Sequence, residues 1–157
     1  MITLYHSSCP ELARLADKAA WAWMIALTPA RVMISPMLLR LANVIIRFGQ
    51  VDRSTSPARV AQHEMRGDMH FITLAADVTW RISWWQRFAG IGQEDAYAAL
   101  LHEFGHAMGL PHSDRNSDVM APDLGTTVIS PDEAERYCQF LDTPSTAHFA
   151  NTSMPAA

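Results

Sequence analysis

The sequence predicts an α+β domain in which helices pack on a mixed sheet, and three observations predict it. A helical pattern of apolar residues is followed by a buried-strand pattern. Two short β-like runs are joined as in a hairpin. A second strong helical pattern is stopped by a glycine.

Ile2-Thr3-Leu4-Tyr5 reads as a short strand at the start of the chain. From Pro10 to Leu27, Leu12, Leu15, Ala19, Ala22, Trp23 and Ala26 recur at helical spacing between Glu11, Arg14, Asp17 and Lys18, giving an amphipathic helix that Pro29 ends. Val32 to Ile34 is β-like, and NVIIRF, Asn43 to Phe48, closed by Gly49, reads as a buried strand. VDRSTSP, Val51 to Pro57, has the composition of a loop. Ala58 to His63 and Met69 to Leu74 read as paired strands, with Gly67 in their connection. In WRISWWQRF, Trp80, Trp84, Trp85 and Phe88 stand at near-helical spacing, which predicts a short helix laying its aromatic face on the core. A strong helix follows from about Gln93 to Met108, stopped by Gly109. At Ser130-Pro131-Asp132-Glu133, Ser130 caps a last helix, Pro131 takes its first position and Glu133 completes a capping box. That helix runs to about Leu141. The domain therefore covers residues 1–142, and residues 143–157, small and polar without periodicity, read as a disordered tail.

Composition excludes several classes of function. The net charge is -4 and the basic residues are scattered, so there is no electrostatic footprint for nucleic acid. Cys9 and Cys138 are the only cysteines, too few for a disulfide framework, and are read as free thiols. The apolar stretch from Trp21 to Phe48 is interrupted by Arg31 and Arg40 and broken by Pro29 and Pro36. Its longest charge-free run, Ala19 to Ala30, falls short of the ~18 residues that span a bilayer, so no membrane contact is expected. The first residues lack the basic segment of a signal peptide. The expectation is a soluble monomer, cytoplasmic or released by a route other than general secretion.

LLHEFGHAMGLPHS, Leu100 to Ser113, crowds three histidines and a glutamate into one helix and its end. Residues i and i+4 differ by ~6 Å of rise and ~40° of rotation, so His102 and His106 project side by side. A third ligand from the same face would over-constrain the angles of a tetrahedral ion. Gly109, free to adopt positive φ, lets Leu110-Pro111 swing His112 back toward the metal. Glu103 lies ~100° around the helix from His102, placed to reach a zinc-activated water as general base. The competing readings are satisfied core histidines or a closed structural zinc. A closed site usually has four protein ligands, often cysteines, and has no use for Glu103.

HEFGHAMGLPHS resembles HExxHxxGxxH, the signature of the metzincin metallopeptidases, and Ser113 after the third histidine is similar to the matrixin branch, the matrix-metalloproteinase-like enzymes. Met120, in DVMAP, stands where that family has the methionine of its Met-turn beneath the zinc. NVIIRFG and GDMHF, Gly67 to Phe71, are similar to family strands. The resemblance implies a zincin-like fold: a twisted, mostly parallel five-stranded sheet with one antiparallel edge strand, an active-site helix and two further helices. It implies one catalytic zinc on His102, His106 and His112, with Gly109 and Met120 supporting the site. It also implies hydrolysis of a peptide bond with Glu103 as the base, and a peptide substrate lying along the edge strand, Ala58 to His63.

The departures from the family are as informative. A second, structural zinc has only His63 and His70 left as partners and a loop too short for it, so it is not expected. Ile72-Thr73-Leu74-Ala75 replace the acidic residues that hold calcium, so calcium is not expected there either. No PRCGxPD-like latency segment is present, and Cys9 in SSCPEL does not match one. Ala121 and Leu124 stand where the family commonly has tyrosines, so substrate preference does not transfer. The stretch from His70 to His102 is longer than usual in the family and includes the tryptophan-rich segment at Trp80 to Trp85. The alternative function is a catalytically silent, zinc-stabilised binding or inhibitory module, against which the retention of Glu103 argues.

Overall fold

The computed structural model describes residues 5–6, 9–27, 44–54 and 56–142. Four strands, β1 (Tyr5–His6), β2 (Val44–Gly49), β3 (Ala61–Arg66) and β4 (Met69–Ala75), form one sheet in the order β1-β2-β4-β3. β1 and β4 both run parallel to β2, and β3 runs antiparallel to β4 at the edge. The hairpin turns at Gly67, whose φ of 59° lies in the left-handed region. The architecture is thus α+β, with the single antiparallel strand at the edge as expected. The main sheet has four strands among the described residues rather than five, and the candidate strand Val32 to Ile34 lies outside them, as does the tail from residue 143.

Helix α1 (Pro10–Ala26) buries Leu12, Ala16, Ala19, Ala20 and Trp23. The three alanines along this face allow close approach of the next helix, and Trp23 fills the remaining space. A second short ladder pairs β5 (Trp80–Arg81) with β6 (Glu94–Asp95), and helix α2 (Trp84–Ala89) lies between them. Helix α3 (Ala96–Ala107) follows, and helix α4 (Pro131–Asp142) ends the described chain. No described helix is long and apolar enough to cross a membrane. Cys9 and Cys138 are not joined in a disulfide.

Three boundaries differ from the sequence reading for identifiable reasons. β3 begins at Ala61, not Ala58, because the Arg59 N–H closes a turn on Ser56 O at 3.0 Å. α3 begins at Ala96, not Gln93: Glu94 and Asp95 pair with β5, and the Asp95 carboxylate then caps the helix, accepting from Tyr97 N at 2.9 Å and Ala98 N at 3.1 Å. The tryptophan-rich stretch does not lay one aromatic face on the core. Trp80 belongs to β5, is buried and donates to Ala75 O at 2.8 Å, whereas Trp85 is 50% and Phe88 90% exposed. Strand pairing removes Trp80 from the helical pattern, and Trp85 and Phe88 of the six-residue helix that remains are exposed.

The core joins α1 to α3. Trp23 is fully buried, donates its indole N–H to Leu101 O at 2.7 Å and meets the Tyr137 ring edge-on at 5.9 Å. Leu100, Leu101, Phe104 and Ala107 fill the rest, so α3 has almost no solvent face and is held rigidly between α1 and the sheet. Trp23→Ala is expected to lower the unfolding free energy by ~3–5 kcal/mol, and Trp23→Phe, which keeps most of the volume, by much less. Urea unfolding at constant m-value checks this. Equal losses for the two variants would show that the hydrogen bond, not the volume, dominates.

Candidate metal centre

α3 carries His102 and His106 on one face. His102 Nδ1–H donates to Val119 O at 2.8 Å, and His106 Nδ1–H donates to Leu110 O at 2.9 Å. A carbonyl only accepts, so each ring spends its proton on Nδ1 and carries a lone pair on Nε2. These two Nε2 atoms lie 3.1 Å apart, and His112 Nε2 lies 3.1 Å from that of His106. Two facing lone pairs repel unless a cation lies between them. An ion with bonds of ~2.0–2.1 Å in tetrahedral array separates its nitrogens by ~3.3 Å, close to these two spacings, and the three ligand atoms all lie within 4.8 Å of one another, so the imidazoles fit zinc in donor type and converge on one position. Among the described residues these three histidines form the cluster able to hold an ion.

The local sequence explains the convergence. Gly109 takes φ 90°, its N–H reaches His106 O at 2.9 Å, and the Leu110 N–H reaches Gly105 O at 3.0 Å. This pair of bonds is the Schellman ending of a helix, which a side chain at Gly109 would strain. The turn sends Leu110 O back to His106 and brings His112 to the third position. His112 itself is exposed, at the mouth of the site.

The support beneath His102 comes from a distant element. Glu133, completely buried in the first turn of α4, accepts from Val119 N at 3.1 Å and Met120 N at 3.0 Å. The Ser130 cap forms as expected, donor Glu133 N to Oγ at 3.1 Å, but the Glu133 carboxylate holds the segment at Val119–Met120 rather than closing a capping box. Asp118, also buried, accepts from Ser113 Oγ at 2.5 Å and pairs with Arg136. Met120 is fully buried against Gly105, where an added Cβ would stand 2.2 Å from the Met120 Sδ. Sequence reasoning singled out neither Asp118, Arg136 nor Gly105, and gave Glu133 a local role. The acidic pair Asp132-Glu133 carried no sign of which carboxylate turns inward.

Glu103 is 5% exposed beside the three imidazoles. Burial pushes its carboxyl up to about 8, against the Arg59 guanidinium and a hydrogen bond from the His63 backbone, which both favour the anion. Burial, with the neighbouring His106 and His112, pushes His102 down to about 4, and burial also lowers His106. Both rings are therefore neutral at pH 7, and an ion does not compete with protons for them. His63 and His70, considered above as remnants of a second zinc site, stack at 5.1 Å and share a 2.8 Å hydrogen bond between Nε2 and Nδ1. His63, held at about 4 by burial, lines the same cleft as the three imidazoles.

That cleft has a volume of about 520 Å³. One wall is the segment Ser56 to His63, the floor is α3, and Pro122, Asp123 and Leu124 form the opposite wall. Leu124 thus lies at the pocket wall.

Two expectations follow from this geometry. Gly105→Ala forces Met120 to move, and is expected to cost ~1–3 kcal/mol and to weaken metal affinity together. Unfolding and competitive metal titration of the variant measure both, and unchanged values would show that Met120 does not brace the site. The metal-free protein should also show a stability maximum near pH 6.5. Between about 4 and 6.5 the unfolded chain protonates His63 and His102 while the folded chain does not, so stability rises with pH. Between 4.5 and about 8 the folded chain keeps a Glu103 proton that the unfolded chain has lost, so stability falls with pH. With His106 also lowered and Glu133 also raised by burial, three imidazoles stand against two carboxyls where the ranges overlap, and the imidazoles outweigh them. Midpoints of chelator-treated protein should climb to about pH 6.5, then decline toward 8, and Glu103→Gln should abolish the decline.

Comparison with known proteins agrees with this geometry. The matrixin family model, peptidase M10, matches residues 42–135, a span running from β2 through the three histidines into α4. No curated protein matches the chain. The family is zinc-dependent, and the matched span is more than half of the sequence. The chain belongs to the matrixin family of metallopeptidases.

Proposed function

We propose that this protein is a zinc-dependent endopeptidase, acting as a monomer, with His102, His106 and His112 as the metal ligands and Glu103 as the general base. The observation that carries the reading is a buried carboxylate beside three converging imidazoles, in a cleft that is open to solvent and bounded by a sheet edge. A closed structural site has no such opening and no adjacent base.

The bound zinc supplies Lewis acidity, polarising the scissile carbonyl and lowering the pKa of a water. The chain's own groups do the rest. Glu103 takes a proton from the attacking water and gives it to the departing amine. Its buried position makes it a strong enough base to hold that proton between the two transfers. The Arg59 guanidinium and the His63 N–H keep the anion accessible. His102 and His106 are fixed by Val119 O and Leu110 O, so their lone pairs need no rearrangement to bind the ion. Met120, packed against Gly105, is the methionine of a Met-turn and supports the rings without touching substrate.

β3 provides the binding edge. The Ala75 N–H donates to Val60 O at 2.8 Å, so Val60 and alternate residues after it face β4. Ala61, His63 and Met65 then turn their backbone groups away from the sheet, as strand alternation requires. A peptide adds there as a further strand, its scissile bond brought over Glu103 by the His63 position. The binding strand is accordingly Ala61–Arg66, with the turn at Ser56–Arg59 as its approach.

Comparing the cleavage products of a complex proteome after treatment with wild type and with Glu103→Ala tests this. Wild type loaded with zinc should generate new termini, a chelator should abolish them, and Glu103→Ala should keep its zinc while losing at least ~10²-fold in rate. Undiminished cleavage by Glu103→Ala contradicts the mechanism. A zinc-loaded wild type that cuts nothing supports a binding module instead.

A further inference from the structure

The three imidazoles are not held alike. A carbonyl fixes each of the His102 and His106 rings from behind, at Nδ1. Among the described residues none does so for His112, which is exposed on irregular backbone and meets only the other two rings. Its direction is therefore set through the main chain, and the two peptide groups that flank its Cα are both pinned. On one side the Tyr137 hydroxyl donates to Pro111 O at 2.8 Å. On the other the Ser113 N–H donates to Met120 O at 2.8 Å. The Ser113 hydroxyl donates in turn to Asp118, which pairs with Arg136.

Glu133, Arg136 and Tyr137 stand at i, i+3 and i+4, neighbours on one face of α4. Glu133 serves the His102 side of the site, through Val119 and Met120. Arg136 and Tyr137 reach the segment that carries His112, at Asp118 and at Pro111. The Tyr137 ring is buried and meets Trp23 edge-on, so its hydroxyl is aimed from a fixed body. Burial, with the Glu133 and Asp118 carboxylates, pushes the phenol up to about 12, and it stays a donor at neutral pH. Pro111 is an exposed residue, where water is at hand to replace the phenol. The bond thus matters less for stability than for where it sets the peptide that leads into His112.

We propose that Tyr137 is a positioning residue for the third metal ligand. By holding the Pro111–His112 peptide it fixes the direction from which His112 Nε2 meets the ion, and the Arg136–Asp118 pair secures the following peptide through Ser113. Tyr137 touches neither ion nor substrate. The inference rests on the reading of His112 as a ligand and not on peptide cleavage.

Competitive zinc titration of the full chain tests this through a cycle of Tyr137→Phe, His112→Ala and the double variant, with urea midpoints of the metal-free proteins measured alongside. Tyr137→Phe keeps the ring and its Trp23 contact and removes only the hydroxyl. It should weaken zinc binding about tenfold while the metal-free midpoint stays near that of wild type. His112→Ala should weaken zinc more, and in that background Tyr137→Phe should cost nothing further, because the ligand it positions is gone. The cycle decides even if the midpoint falls, since a general loss of stability acts with or without His112. Unchanged affinity in Tyr137→Phe overturns the proposal. So does an equal loss in both backgrounds, which would give Tyr137 a role in docking α4 alone. Full zinc affinity in His112→Ala overturns the ligand reading and the proposal with it.

Discussion

Two hydrogen bonds, from His102 Nδ1 to Val119 O and from His106 Nδ1 to Leu110 O, decide which nitrogen of each ring faces the cleft. Were either ring to spend its proton on Nε2, the site would present a donor where an ion needs a lone pair. Each carbonyl is fixed by a different device. Leu110 O is returned to the helix by the left-handed turn at Gly109, a local consequence of one residue without a Cβ. Val119 O is fixed at a distance, because Glu133 in α4 holds the amides on either side of that peptide's turn. The candidate metal centre therefore depends on the docking of α4 as much as on α3 itself.

The scaffold around these bonds shows why the site can be both rigid and open. α3 is enclosed by α1 on one side, through Trp23, and by the sheet on the other. The ends are different: His112 and the Pro122–Leu124 wall come from irregular backbone, where a cleft can form without exposing the core. Placing Glu103 at the buried side of that cleft costs stability in the metal-free state, since its carboxyl is driven to about 8. A dication beside it reverses that penalty, so binding and folding of the site reinforce one another.

Much of this was legible in the sequence because it rests on short spacings. The i, i+4 histidines and the glycine after the helix appear as read, and α1 forms as an amphipathic helix, although its buried face takes in Ala16 and Ala20 and leaves Leu15, Ala22 and Ala26 half-buried. The matrixin resemblance extended that reading to Met120, which lies buried against Gly105 of α3. What was not legible depends on tertiary partners. Ser130 and Glu133 have the spacing of a capping box, but the Glu133 carboxylate finds two amides in another segment, a competition that local pattern cannot resolve. Trp80 looked helical until strand pairing with Glu94 claimed it, and His63 and His70 bond to each other across the hairpin. The start of β3 was masked by a turn at Ser56–Arg59 whose residues are β-compatible in isolation. Gly105 gave no sign in the sequence, because its importance is the approach of a sulfur atom distant in the chain.

The central claim is that three neutral imidazoles, and no cysteine, hold one zinc while leaving a coordination position open. X-ray absorption at the zinc edge of the loaded protein tests it most directly. One zinc per chain is expected, with nitrogen or oxygen scatterers alone at ~2.0–2.1 Å, three of them imidazoles, and loss of imidazole scattering in His106→Ala. Sulfur scattering at ~2.3 Å, from Cys9 or Cys138, or a closed shell of four imidazoles, would contradict it.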